Sequence, residues 1–142
     1  MVIPRNRTRA AVLVATAALL AGLGGTAAAT GAAAAGTSAA GSCTFAHPKT
    51  VKTAKVDSIN IQLRYSTSTR CAWGRIYHAD RGDKVWVDRS SNGGRTWDGP
   101  LSLTTVRSGS DTHTASRYDG GYVMRACAWN DETHHIKCTG WY

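Results

Sequence analysis

The sequence predicts an all-β fold: a small disulfide-stabilised β-sandwich or barrel of about seven short antiparallel strands. Three observations carry this. Residues 58–66 alternate, with Ile59, Ile61, Leu63 and Tyr65 on one face and Ser58, Asn60, Gln62 and Arg64 on the other. A period of two over that length describes a strand with one buried and one wet face. Past the first thirty residues, no segment sustains the three-and-four apolar spacing of a globular helix. Clusters of Gly, Ser, Asn and Asp also punctuate the chain at the short intervals typical of all-β domains.

The elements follow in order. Residues 1–29 read as a secretory signal peptide. Arg5, Arg7 and Arg9 precede an apolar run from Ala10 to Leu23, and Ala27-Ala28-Ala29 offers an A-x-A exit, with Ala33-Ala34-Ala35 a second candidate. The run is too short and too rich in Ala and Gly to span a membrane. Residues 30–42 hold no charge, aromatic or large apolar side chain, which predicts a flexible Ala/Gly/Ser arm. That arm serves as a spacer, or as a strand-like segment that orders in a partner's narrow groove. Residues 43–142 form the expected secreted domain. After the alternating stretch, residues 71–77 and 84–88 are strand-like, and 96–106 supplies one or two strands interrupted by Gly99-Pro100. Residues 122–129 and 135–141 make a closing hairpin.

Cys43, Cys71, Cys127 and Cys138 are the only cysteines. An even set in a small exported domain reads as two disulfides. Cys127 and Cys138 flank the turn-like Asn130-Asp131-Glu132-Thr133, so a hairpin sets them opposite each other and leaves Cys43 for Cys71. Without residues 1–29, Lys+Arg falls from 17 to 14 against 9 acids, and the net charge from +8 to +5. The basic residues are scattered singly, without the interleaved aromatics of a nucleic-acid interface.

Ser90, Asn92, Gly94, Thr96 and Trp97 fit the S-x-[D/N]-x-G-x-T-W pattern called an Asp box. The Asn side chain is expected to bond nearby backbone N–H groups, Gly94 to take a positive φ, and Trp97 to pack under the hairpin. This is a folding device, not a glycosidase signature. Asp80, Asp83, Asp98 and Asp131 read as surface turn formers rather than as paired carboxylates of a cleft. Asp111, His113 and Ser116 lack the elbow and oxyanion segment of a hydrolase triad. His134 and His135 beside Cys127 and Cys138 match no zinc spacing, and oxidised sulfurs do not ligate. No catalytic set, cofactor or metal is expected. Most of Trp73, Trp86, Trp97, Trp129 and Trp141 are assigned to the core, with one or two left for the surface.

Leu63-Arg64-Tyr65-Ser66 followed by Cys71-Ala72-Trp73-Gly74-Arg75-Ile76 resembles a signature of the YjfA-like proteins, as do Tyr118-Asp119-Gly120-Gly121, Arg125-Ala126-Cys127-Ala128 and Cys138-Thr139-Gly140-Trp141-Tyr142. These are small secreted proteins of Gram-positive bacteria carrying a domain of unknown function. The resemblance spans Cys43 to Tyr142 and implies a secreted β domain without assigned catalytic residues. The function expected is therefore that of a non-enzymatic extracellular interaction module. It would assemble with itself or with another secreted protein, as an adaptor of an extracellular or antibacterial complex, through its β domain and its arm. A small peptidase inhibitor offering Arg107-Ser108-Gly109-Ser110 is the alternative, and contact with cell wall or glycan a third class. Neither nucleic acid nor a membrane span is expected.

Overall fold

The computed structural model describes residues 43–142; the expected leader (1–29) and arm (30–42) lie outside the described residues. Nine strands run in order: β1 (Lys49–Val56), β2 (Ile59–Ser66), β3 (Cys71–Tyr77), β4 (Lys84–Ser90), β5 (Asp98–Thr105), β6 (Asp111–His113), β7 (Arg117–Tyr118), β8 (Val123–Trp129) and β9 (Ile136–Cys138). All pairings are antiparallel. One sheet has the order β1-β2-β3-β6, with β7 also on β3; the other has the order β5-β4-β8-β9. β2 and β3 of the first sheet pack across β8 and β4 of the second. The two sheets do not close on one another, so the fold is a sandwich and not a barrel. Among the described residues no helix is long and apolar enough to cross a membrane.

Alternation fills the space between the sheets. Ile59, Ile61 and Leu63 of β2 and Ile76 of β3 face Val85 and Val87 of β4 and Met124, Ala126 and Ala128 of β8, all of them buried. Each large aliphatic side chain so buried contributes about 1.5–3 kcal/mol. The sheets touch where Gly74 meets Val85 and Ala126. A Cβ at Gly74 would lie 3.0 Å from Val85 Cγ2 and 3.3 Å from Ala126 Cβ.

The strand count exceeds the seven expected. β1 lacks a clean period of two because it carries a bulge between Thr50 and Lys52. Val51 and Lys52 together oppose Leu63, and the bulge lets Val51 pack against the core. β6 and β7 are three and two residues long, too short for any periodicity. Residues 96–106 give a single strand, β5, which runs through a cis Gly99-Pro100 bond with two register irregularities. The last strand stops at Cys138, and Tyr142 then exchanges both backbone bonds with Met124, at 2.9 and 3.0 Å.

The disulfides are Cys43–Cys71 and Cys127–Cys138, the pairing that the hairpin argument gives. The second joins directly opposed residues of β8 and β9. The first ties the segment ahead of β1 to the first residue of β3. Phe45 of that segment rests edge-on against Trp73 and His113, with ring centroids 5.0 and 4.9 Å apart. Two disulfides suit an oxidising compartment.

Candidate functional site

Of the five tryptophans only Trp73 is buried, and it lies outside the aliphatic cluster between the sheets. Ala72, Gly74 and Ile76 of β3 point between the sheets, so Trp73 points outward, where Phe45 and His113 cover it. In β4 the inward Val85 and Val87 place Lys84, Trp86 and Asp88 outward; in β8 the inward Met124, Ala126 and Ala128 place Arg125, Cys127 and Trp129 outward. The expectation that most indoles fill the core is thus overturned. The positions between the sheets are taken by aliphatic side chains and by the small residues Gly74, Ala126 and Ala128, and close packing there leaves the indoles to the outward positions of the strands.

Four of the five tryptophans meet on or beside the outer face of the second sheet. Lys84 stands opposite Trp129, Trp86 opposite Cys127, and Asp88 opposite Arg125. The guanidinium of Arg125 lies between two indoles, 4.5 Å from the ring centroid of Trp97 and 4.6 Å from that of Trp141. Its Nε donates to Asp88 Oδ2 at 2.9 Å, and Trp86 Nε1 donates to Asp88 Oδ1 at 3.1 Å. The Asp88 carboxylate is buried, so this pair and its extra donor compensate for lost water. At the other end Lys84 Nζ sits 3.6 Å from the centroid of Trp129, and His134 stacks on the same indole at 5.5 Å. Between these ends is an open depression of about 420 Å³, walled by Trp86, Trp97, Pro100, Leu103, Trp129 and Ile136. Trp97 (51 %), Leu103 (51 %) and Ile136 (59 %) are half or more exposed.

The Asp-box residues build the β4–β5 turn beside this face. Ser90 Oγ accepts from the backbone N–H of Gly94 (2.8 Å) and Asn92 (3.2 Å). Asn92 Oδ1 accepts from Thr96 N at 3.0 Å, and its amide donates to Thr96 Oγ1 at 2.8 Å. Gly94 has φ +93°. Trp97 departs from expectation: it does not pack under the turn but projects over Arg125, while Trp141 of the C-terminal tail packs against Gly94. The indole that completes the turn comes from a residue more than forty positions away, a distance no local motif encodes.

The other candidates are drawn apart or occupied. Asp111 pairs with Arg75 at 3.3 Å, and His113 Nδ1 faces the carbonyl of Thr114 at 2.9 Å, so neither is directed at a Ser116 nucleophile. Asp88, Cys127 and Cys138 lie within 4.8 Å of one another, but disulfide sulfurs offer no thiolate to a metal. His135 turns away from them to Asp57, at 3.1 Å. Asp83 is no surface turn former. It is buried, and its carboxylate accepts from the backbone N–H groups of Asp80 (2.7 Å) and Asp131 (2.9 Å), joining the β3–β4 turn to the β8–β9 turn. The Arg107–Ser110 stretch is an exposed bend flanked by neither disulfide. Around the Tyr65–Tyr142 ring pair, burial pushes the Tyr65 phenol up. Burial also raises the Asp119 carboxyl, against the pull of Arg70.

Both long sheet edges are blunted. β1 carries Lys49, Lys52 and Lys55 and a bulge, and β5 carries Pro100 and two register breaks. Charges, proline and bulges on an edge oppose the addition of a further strand. The outer face of the second sheet carries the open depression instead.

A family model, "Protein of unknown function (DUF2690)", matches residues 32–120. The chain belongs to that family. No curated protein and no solved structure matches it.

Proposed function

We propose that this chain is a secreted, non-enzymatic interaction module, an adaptor that joins other secreted proteins in an extracellular assembly. Within its family we place it with the YjfA-like proteins, on the Leu-Arg-Tyr-Ser and Cys-Ala-Trp-Gly-Arg-Ile stretches. One observation carries the reading: Trp86, Trp97 and Trp129 line an outer depression, with Arg125 held between the rings of Trp97 and Trp141. Trp, Tyr and Arg on a rigid surface are the residues that dominate protein interfaces.

The Cys43–Cys71 bond supports the second part of the proposal, an N-terminal arm that engages the partner. It fastens the segment that leads out of the domain to a central strand, so an arm beginning there has a fixed, covalent anchor. Export through the basic and apolar leader belongs to the same reading.

The test is affinity purification of the tagged protein from culture medium, with and without residues 30–42. A stoichiometric co-purifying secreted protein, or a defined oligomer, is expected, and it should weaken when the arm is removed. A solitary monomer with no associated protein overturns the reading.

A further inference from the structure

We propose that the depression on the second sheet's outer face receives an extended protein segment: apolar side chains with one carboxylate directed at Lys84. This rests on the interaction-module reading and specifies the chemistry of the partner.

The apolar half of the argument is the composition of the walls. Six large side chains exceed about two-fifths exposure or approach it among the described residues: Phe45, Trp97, Leu103, Tyr122, Ile136 and Tyr142. Trp97, Leu103 and Ile136 border the same depression, on a loop, β5 and β9 respectively. Single exposed apolar residues are ordinary; three converging on one concavity with Trp86, Pro100 and Trp129 form a patch of the kind that marks a binding groove. Pro100, Leu103 and Ile136 in the rim present aliphatic surface, which matches apolar peptide side chains better than the hydroxyl-bearing edges of a sugar. Three of the polar groups here are engaged with one another, Asp88 holding Arg125 and the Trp86 N–H, which leaves the Lys84 ammonium as the free donor.

The charged half is the imbalance at the two ends. Arg125 is neutralised by Asp88 at 2.9 Å. Lys84 makes no ion pair within 4.0 Å among the described residues and rests on the face of Trp129. An ammonium held against an aromatic ring is fixed in position and still has donors free for a carboxylate. The groove is therefore apolar along its length and cationic at the Lys84 end, the complement of an apolar segment ending in Asp, Glu or a chain terminus.

The probes are two capped pentapeptides, Gly-Leu-Phe-Asp-Gly and Gly-Leu-Phe-Lys-Gly, titrated into the isotope-labelled protein. The readout is the five indole N–H resonances. Trp86, Trp97 and Trp129 are expected to shift saturably with the Asp peptide, while the covered Trp73 stays still, and the Lys peptide should bind at least tenfold more weakly. Lys84→Glu, a change at a solvent-facing end of the groove, should reverse the preference. Leu103→Ser with Ile136→Ser, both exposed, should weaken both peptides without loss of fold. No indole shift at millimolar peptide, or a preference indifferent to Lys84→Glu, overturns the proposal. So does a shift produced by an uncharged gluco-oligosaccharide in place of the peptides, which would make the groove a glycan site. If the tagged Lys84→Glu protein keeps the partner that the unaltered protein retains, this inference fails while the interaction-module reading stands.

Discussion

Gly94 and its neighbour Gly93 separate two costs that a turn glycine can carry. Both have positive φ, +93° and +73°. Around a Cβ at Gly93 there is open space, whereas a Cβ at Gly94 would run into the indole of Trp141. Gly93→Ala should therefore cost only the left-handed conformation, about 1–2 kcal/mol. Gly94→Ala should cost roughly 1–3 kcal/mol more, because the tail must move or the turn must open. Urea unfolding of the two variants measures the difference. Equal losses would mean that Trp141 does not support the turn. Ser90, Asn92, Gly94 and Thr96 are readable in the sequence because they bond within the turn itself, whereas Trp97 projects over Arg125 and escapes that reading. The partner indole is not readable either, since nothing local links Gly94 to a residue of the tail.

At the scale of strands, both sheets end on the same device. Where β6 stops, Thr114 N donates to Gly74 O at 2.9 Å and Thr114 Oγ1 accepts from Gly74 N at 3.1 Å. Where β9 stops, Thr139 N donates to Ala126 O at 2.8 Å and Thr139 Oγ1 accepts from Ala126 N at 3.1 Å. Each hydroxyl then donates to the next carbonyl, Ala115 O at 2.8 Å and Gly140 O at 3.0 Å. A threonine thus stands in for a missing ladder carbonyl, and the chain pairs again beyond it, as β7 in one sheet and as Tyr142 in the other. The two amides served belong to Gly74 and Ala126, which face each other between the sheets. Thr139→Val should leave the Ala126 N–H buried without an acceptor and cost about 1–3 kcal/mol, with Thr139→Ser close to the parent. Hydrogen exchange at the Ala126 amide distinguishes the cases, and undiminished protection in the valine variant would exclude the role. Such devices explain which elements the sequence revealed. β2, β3, β4 and β8 pair over seven or eight residues and show their alternation or their turns. β6, β7 and the Tyr142 bridge pair over three residues or fewer, too short to leave a period, and the threonines beside them act across the sheet rather than along the sequence.

Across the whole molecule, the two sheets are fastened at one end by a tie between turns. Asp57, in the β1–β2 turn, accepts from Thr133 Oγ1 at 2.6 Å and lies 3.1 Å from His135 Nδ1, both in the β8–β9 connection. The Thr133 bond, then that of His135, hold the Asp57 carboxyl below its ordinary range. A carboxyl depressed in the folded state stabilises the fold above its unfolded value and loses that contribution as pH falls through its folded value. Asp119 acts in the opposite sense. Burial raises its carboxyl, so the folded state takes up its proton more readily than the unfolded chain and this group favours folding on acidification. The tie between sheets should therefore weaken below about pH 4, the range where carboxylates protonate. Asn tolerates the left-handed backbone of position 57 (φ +51°), so Asp57→Asn removes the titration without straining the turn. Thermal unfolding between pH 2 and 7 should show Asp57→Asn less stable than the parent at neutral pH, with the gap closing in acid. A gap independent of pH would mean that the carboxylate's charge plays no part in holding the sheets together.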